Sequence, residues 1–221
     1  FQAEDGIRYC LLSRGLGDVY KRQSKESIMA NHVSFYITSD SEVDFTKEFK
    51  MHTYTRTYDE THSWEVTEPL ELEKQNFMQA AEPEFDEDDY LCDSYSWYCD
   101  NVGAKWCNVE DVEETQVYGY SAWSPPTEML GYLAKHMKTD LRMNYEDEFR
   151  NFIGVAWADE DGLTSFEEID GDELLETFLE DTGMEELPED FDWSDEVLVG
   201  DAKHCADEYY DSIVYNWFDE Q

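Results

Sequence analysis

Basic side chains are scarce in this sequence: 15 Lys and Arg stand against 55 Asp and Glu in 221 residues, a formal net charge of −40. Affinity for nucleic acid comes largely from Lys and Arg displacing counterions from phosphates, so the shortage argues against direct binding to DNA or RNA. Long apolar runs are missing as well. No segment approaches the roughly 18 residues that read as a membrane span, which leads to the expectation of a protein in the cytoplasm with no membrane partner. Only five cysteines occur, Cys10, Cys92, Cys99, Cys107 and Cys205, and none forms a CxxC pair. Zinc sites favour such close pairs, so reduced thiols are expected, with no metal and no cofactor.

Catalytic constellations are lacking too. His32, His52, His62, His136 and His204 are dispersed, with no Ser, Cys or Asp at a characteristic spacing. Among so many carboxylates composition alone supplies near neighbours, so no acid–base pair can be singled out. The Asp159-Glu160-Asp161-Gly162 run has an EF-hand flavour, but Trp157 stands at its first ligand position and cannot coordinate calcium. A non-enzymatic protein is the expectation.

What is present is apolar material in quantity. The chain is 41% hydrophobic and 15% aromatic, which separates it from acidic sequences that remain unfolded. Residues 1–23 resemble translated sequencing-adapter read-through of the kind found in open reading frames from environmental, metagenomic DNA, and Met29 reads as the natural start. Residues 1–28 are therefore expected to be a disordered leader. Residues 29–158 are expected to form one domain with an acidic insertion at 82–93, and residues 159–221 an acidic hairpin and helical extension.

Along the chain, residues 31–38 are dense in aromatic and β-branched types and predict a strand ending at Ser39-Asp40-Ser41. Residues 42–64 fit a weak helix or a hairpin. The spacing of Leu70, Phe77, Met78 and Ala81 predicts a helix over 70–81. A short helix at 95–101 is ended by Gly103, and strands follow at 105–109 and 116–122. Ser124 is placed to cap a helix that Pro125 begins, with Met129, Leu130, Leu133 and Met137 on one face. Strands at 141–145 and 152–157, a turn, and a returning strand at 163–169 come next, then helices over 172–179 and 202–218. Strand, helix, strand, strand, helix, strand is the ferredoxin-like split βαβ order, so the expected class is α+β: an antiparallel sheet with two helices on one face.

The stretch 97–126 holds three of the seven tryptophans. Trp97, then Val102-Gly103-Ala104-Lys105-Trp106, then Ala122-Trp123-Ser124-Pro125-Pro126, with Met29-Ala30-Asn31-His32 before the first strand, resembles the YubB-like proteins of phages and plasmids. The resemblance covers roughly residues 29–157. It implies a mobile-element origin and a ferredoxin-like domain, and it brings no catalytic residues. Trp97, Gly103, Lys105, Trp106, Trp123, Ser124, Pro125 and Pro126 are accordingly expected as structural markers of the fold. Lys105 is expected to lay its stem along a tryptophan and to pair with a carboxylate.

From residue 159 to the end the acidic residues number 24 against one cation, Lys203. Such a field draws in basic surfaces and speeds encounter with them. The expected function is therefore an acidic interaction protein that binds a basic host or phage protein, with nucleic-acid mimicry as one form of it. The alternative is a small-ligand or nucleotide-binding module with its pocket near Lys105, Trp106 and Trp123, the acidity serving a saline habitat.

Overall fold

A computed structural model describes residues 31–57, 62–81, 90–188 and 191–221. The expected leader and most of the expected acidic insertion lie outside the described residues. Six strands form the main sheet in the order β4-β5-β1-β6-β7-β8, antiparallel throughout. They are β1 (His32–Thr38), β4 (Cys107–Val112), β5 (Gln116–Ala122), β6 (Leu141–Asp147), β7 (Phe152–Asp159) and β8 (Gly162–Asp170). Helix α1 (Tyr90–Asn101) connects the first strand region to β4, and α2 (Thr127–Met137) connects β5 to β6. The order β6-β1-β5-β4 within the sheet is the split βαβ arrangement, in which each helix links two strands that a third separates. The sheet runs on through residue 158, because β7 and β8 extend it beyond β6.

Alternation makes the two faces of β1 unlike. Val33, Phe35 and Ile37 are buried on the helix side, where they meet Val117, Met129, Leu130, Leu133 and Met143. Burying each of these side chains contributes on the order of 1.5–3 kcal/mol. Gly119 is needed opposite Phe35, since a Cβ there would lie 2.6 Å from the phenyl ring.

Several elements differ from expectation. Residues 70–81 are not an α-helix but two 3-10 segments, Leu72–Lys74 and Asn76–Ala81. Gln75 interrupts them in an extended conformation, and its buried amide explains why: the Lys50 amide donates to it at 2.7 Å, and it donates to the carbonyls of Leu70 and Lys50. Leu72, Phe77 and Met78 are buried all the same. The helix of the fold is α1, which starts at Tyr90, inside the segment expected to be an acidic loop. Of the two readings of 42–64, the hairpin is correct: β2 (Met51–Thr57) pairs with β3 (Ser63–Pro69).

Beyond β8, α3 (Gly171–Thr182) is capped by the Asp170 carboxylate, which accepts from the Asp172 amide. The expected helix over 202–218 begins later, at Ala206, as α4 (Ala206–Glu220). Its first four expected residues instead form β10 (Ala202–Cys205), paired with β9 (Glu196–Val199) across a turn where Gly200 has φ +60°. Leu174, Phe178, Val197, Ala206, Tyr210 and Val214 make a second core that also takes in Ile153 of β7. The C-terminal helices thus pack on the sheet face opposite α1 and α2, at its β6–β7 side.

Candidate functional site

The tryptophan-bearing stretch folds into one junction at an end of the sheet. The Gly103 amide donates to the Tyr98 carbonyl at 3.1 Å and closes α1, with Gly103 at φ +89°. A Cβ there would press on the Thr127 and Glu128 amides at 3.3 Å, so the chain passes directly over the start of α2. Ser124 does not cap that helix. Its hydroxyl donates to the Gly103 carbonyl at 2.8 Å, tying the two turns together, and α2 begins two residues later than expected, at Thr127. Pro125 and Pro126 place their carbonyls to accept from Thr127 and Leu130, and the Met129 amide reaches back to the Val102 carbonyl. Trp123 holds φ +72°, and its amide donates to the Asn31 carbonyl.

Trp97 is 8% exposed and meets Tyr98 edge-on, while Trp106 packs at the margin of the main core. Lys105 is exposed, and the ring its ammonium faces, at 5.8 Å, is Tyr95 rather than a tryptophan. A cleft of about 660 Å³ opens between the β2–β3 hairpin and β4, lined by His52, Arg56, Lys74, Glu68, Glu71 and Glu110 among others. Lys105, Trp106 and Trp123 do not line it. Its charges neutralise one another in part, as in the Lys74–Glu71 pair at 2.8 Å.

A second grouping escaped the sequence reading. On the face of β1 and β5 turned away from α1 and α2, Tyr36 lies opposite Tyr118, with ring centroids 4.7 Å apart. Tyr118 meets Tyr120 edge-on at 4.9 Å. Tyr120 lies 6.3 Å from His32, and His32 stands edge-on to Trp106 at 5.2 Å. Five aromatic rings therefore run in a row across β1, β5 and the residue that precedes β4. Tyr36 is 48% exposed despite its size.

Carboxylates border this row. Glu148 accepts from the His32 amide at 2.9 Å and approaches the imidazole at 3.4 Å. Burial, followed by the nearby charges of Glu110 and Tyr36, raises the Tyr120 hydroxyl above its ordinary value. Glu146, opposite Ser34 on the same face, is pushed up by burial and by Asp211. The signal in the sequence was the alternation of Tyr36, Tyr118 and Tyr120 with buried neighbours; what joins them is the pairing register of β1 with β5.

Residues 103–196 match the family described as a ferredoxin-like domain in Api92-like protein. The match runs from the glycine that ends α1 to the first residue of β9, and it supports the ferredoxin-like reading of the sheet. Neither a curated protein nor a solved structure matches the chain. Among the described residues no helix is long and apolar enough to cross a membrane, and no three His, Cys, Asp or Glu side chains gather as a metal site.

Proposed function

We propose that this chain is a non-enzymatic acidic interaction protein of phage type, acting in the host cytoplasm by docking on a basic protein. One observation carries the reading: the outer sides of the C-terminal helices are lined with exposed carboxylates. On α3 these are Asp172, Glu173, Glu176 and Glu180, and on α4 Asp207, Glu208 and Asp211. The neighbouring hairpin supplies only Lys203, already paired with Glu196. A one-sign field of this density steers cationic surfaces toward it, gives fast and salt-sensitive association, and repels nucleic acid. It also presents the charge that a nucleic-acid-binding protein meets on its natural ligand, which is the sense in which mimicry fits.

The phage attribution rests on the likeness of the 97–126 motifs to YubB-like proteins. The test is retention of host-lysate proteins on the immobilised chain at low salt, followed by elution in a salt gradient. Retained proteins should be basic and should leave as the ionic strength rises. Retention of no basic protein at low salt would sink the reading.

A further inference from the structure

Among the described residues, the sheet face opposite α1 and α2 is covered at β6 and β7 but not over β1 and β5. The C-terminal helices reach β7 through Ile153, and the Phe218 carbonyl accepts from Arg142 of β6. Among the described residues no helix lies over the row formed by Tyr36, Tyr118, Tyr120, His32 and Trp106. Aromatic rings held tilted or edge to face, with centroids 4.7–6.3 Å apart, form a platform of π-faces. Planar groups bind such platforms by stacking, and the two common planar partners are nucleobases and guanidinium groups.

Charge decides between them. The row is bordered by Asp111 opposite Tyr118, by Glu110 near Tyr120 and by Glu148 at His32, in a chain of net charge −40, which favours a cation and opposes a polyphosphate. The molecule already holds one guanidinium in just this chemistry. Arg150 lies between the rings of Trp193 and Tyr210, at 4.3 and 4.4 Å from their centroids, and pairs with Asp207 and Asp211. Arginine suits such a site better than lysine, because its planar fork stacks on a ring while bonding to a carboxylate.

We infer that the tyrosine row on β1 and β5 is the docking site for an arginine-rich peptide segment of the basic partner, its guanidinium groups stacking on Tyr36 and Tyr118 and pairing with the bordering carboxylates. This rests on the reading of the chain as a binder of basic proteins and adds to it a place and a side-chain preference. A lysine segment would gain the long-range attraction but little of the stacking.

Fluorescence anisotropy with labelled oligoarginine and oligolysine peptides of equal length, on the full chain at moderate salt, tests both layers. Oligoarginine should bind about tenfold more tightly than oligolysine. The double substitution Tyr36→Ser with Tyr118→Ser should remove that advantage and leave oligolysine binding unchanged. Tyr36→Phe with Tyr118→Phe, which keeps the rings, should retain it, and this pair keeps the test decisive if the serine variant folds poorly. Equal binding of the two peptides, or an arginine advantage that the phenylalanine variant loses, overturns the inference and leaves the acidic-binder reading standing. Failure of both peptides to bind overturns both. Binding of a single-stranded oligonucleotide that the serine substitutions abolish would reassign the platform to nucleic acid.

Discussion

Tyr145 and Gly154 face each other on β6 and β7, and their fit depends on the absence of one carbon. The Tyr145 ring is fully buried, and its hydroxyl donates to Glu168 of β8 at 3.2 Å. It reaches there by lying flat over Gly154, where a Cβ would come within 2.2 Å of the hydroxyl oxygen. Gly154→Ala should therefore destabilise the fold by about 1–3 kcal/mol, because the buried ring must leave its rotamer and surrender the Glu168 contact. Urea denaturation checks the magnitude, and a changed near-ultraviolet dichroism of the tyrosines would accompany it. An alanine variant as stable as the parent would show that the ring has room this packing denies it. Nothing in the residues around Gly154 announces this role, since a glycine in a strand also reads as a bulge or a weak point.

At the scale of elements, the β6–β7 turn is what fastens the C-terminal helices to the sheet. Asp147 accepts from the Phe149 and Asn151 amides and from the Asn151 side chain, fixing a turn in which Arg150 holds φ +58°. The Arg150 carbonyl lies so close to Gly171 that any Cβ there would sit 1.8 Å from it, and its side chain crosses to Trp193 and α4. Arg150 is only 22% exposed at its side chain. Arg150→Ala should cost about 2 kcal/mol through lost stacking and pairing, whereas Arg150→Gly should recover about 1 kcal/mol of that by relieving the left-handed backbone. Hydrogen exchange should localise the loss to α3 and α4; uniform loss across the sheet would refute the fastening role.

Such couplings explain what was legible beforehand. The six strands of the main sheet and α2 could be read because each carries its own apolar period over enough residues. Residues 70–81 could not, because their side chains satisfy a helical spacing while Gln75 is held extended by partners at Lys50 and Leu70. The tyrosine row was half legible: β5 alone places Tyr118 and Tyr120 on one face, but their union with Tyr36 and His32 is a fact of register, which only pairing fixes.

For the whole molecule, charge sets the response to solution conditions. Burial pushes the carboxyls of Glu146, Asp147, Glu168 and Asp211 above their ordinary values of 4.5 and 3.8. A raised folded-state value means that the folded chain binds the proton more tightly. The stabilisation from these groups is therefore complete below their ordinary values and is lost as pH rises through the raised ones. The opposite holds for Asp44, Glu71, Asp192 and Glu196, which hydrogen bonds to Lys47, Lys74, Ser194 and Lys203 respectively hold below their ordinary values. Their contribution disappears only at stronger acidity. Tm should thus fall as pH rises above the ordinary carboxylate range toward neutrality and fall again in stronger acid, and added sodium chloride at neutral pH should raise it by screening the net charge of −40. Scanning calorimetry across pH and salt checks both, and a Tm that declines steadily from pH 7.5 downward would contradict the balance.

The sheet's two borders add a last consequence. A strand at the rim of a sheet is a template on which a second chain can add its own strand. Here β4 is interrupted by a bulge between Val109 and Asp111, and the far side of β8 has no neighbouring strand among the described residues. The β8 sequence alternates little but carries Glu167, Glu168 and Asp170, so two copies meeting along it would bring like charges together. The carboxylates along this rim hold identical chains apart, so the acidity of this protein is a defence against self-assembly.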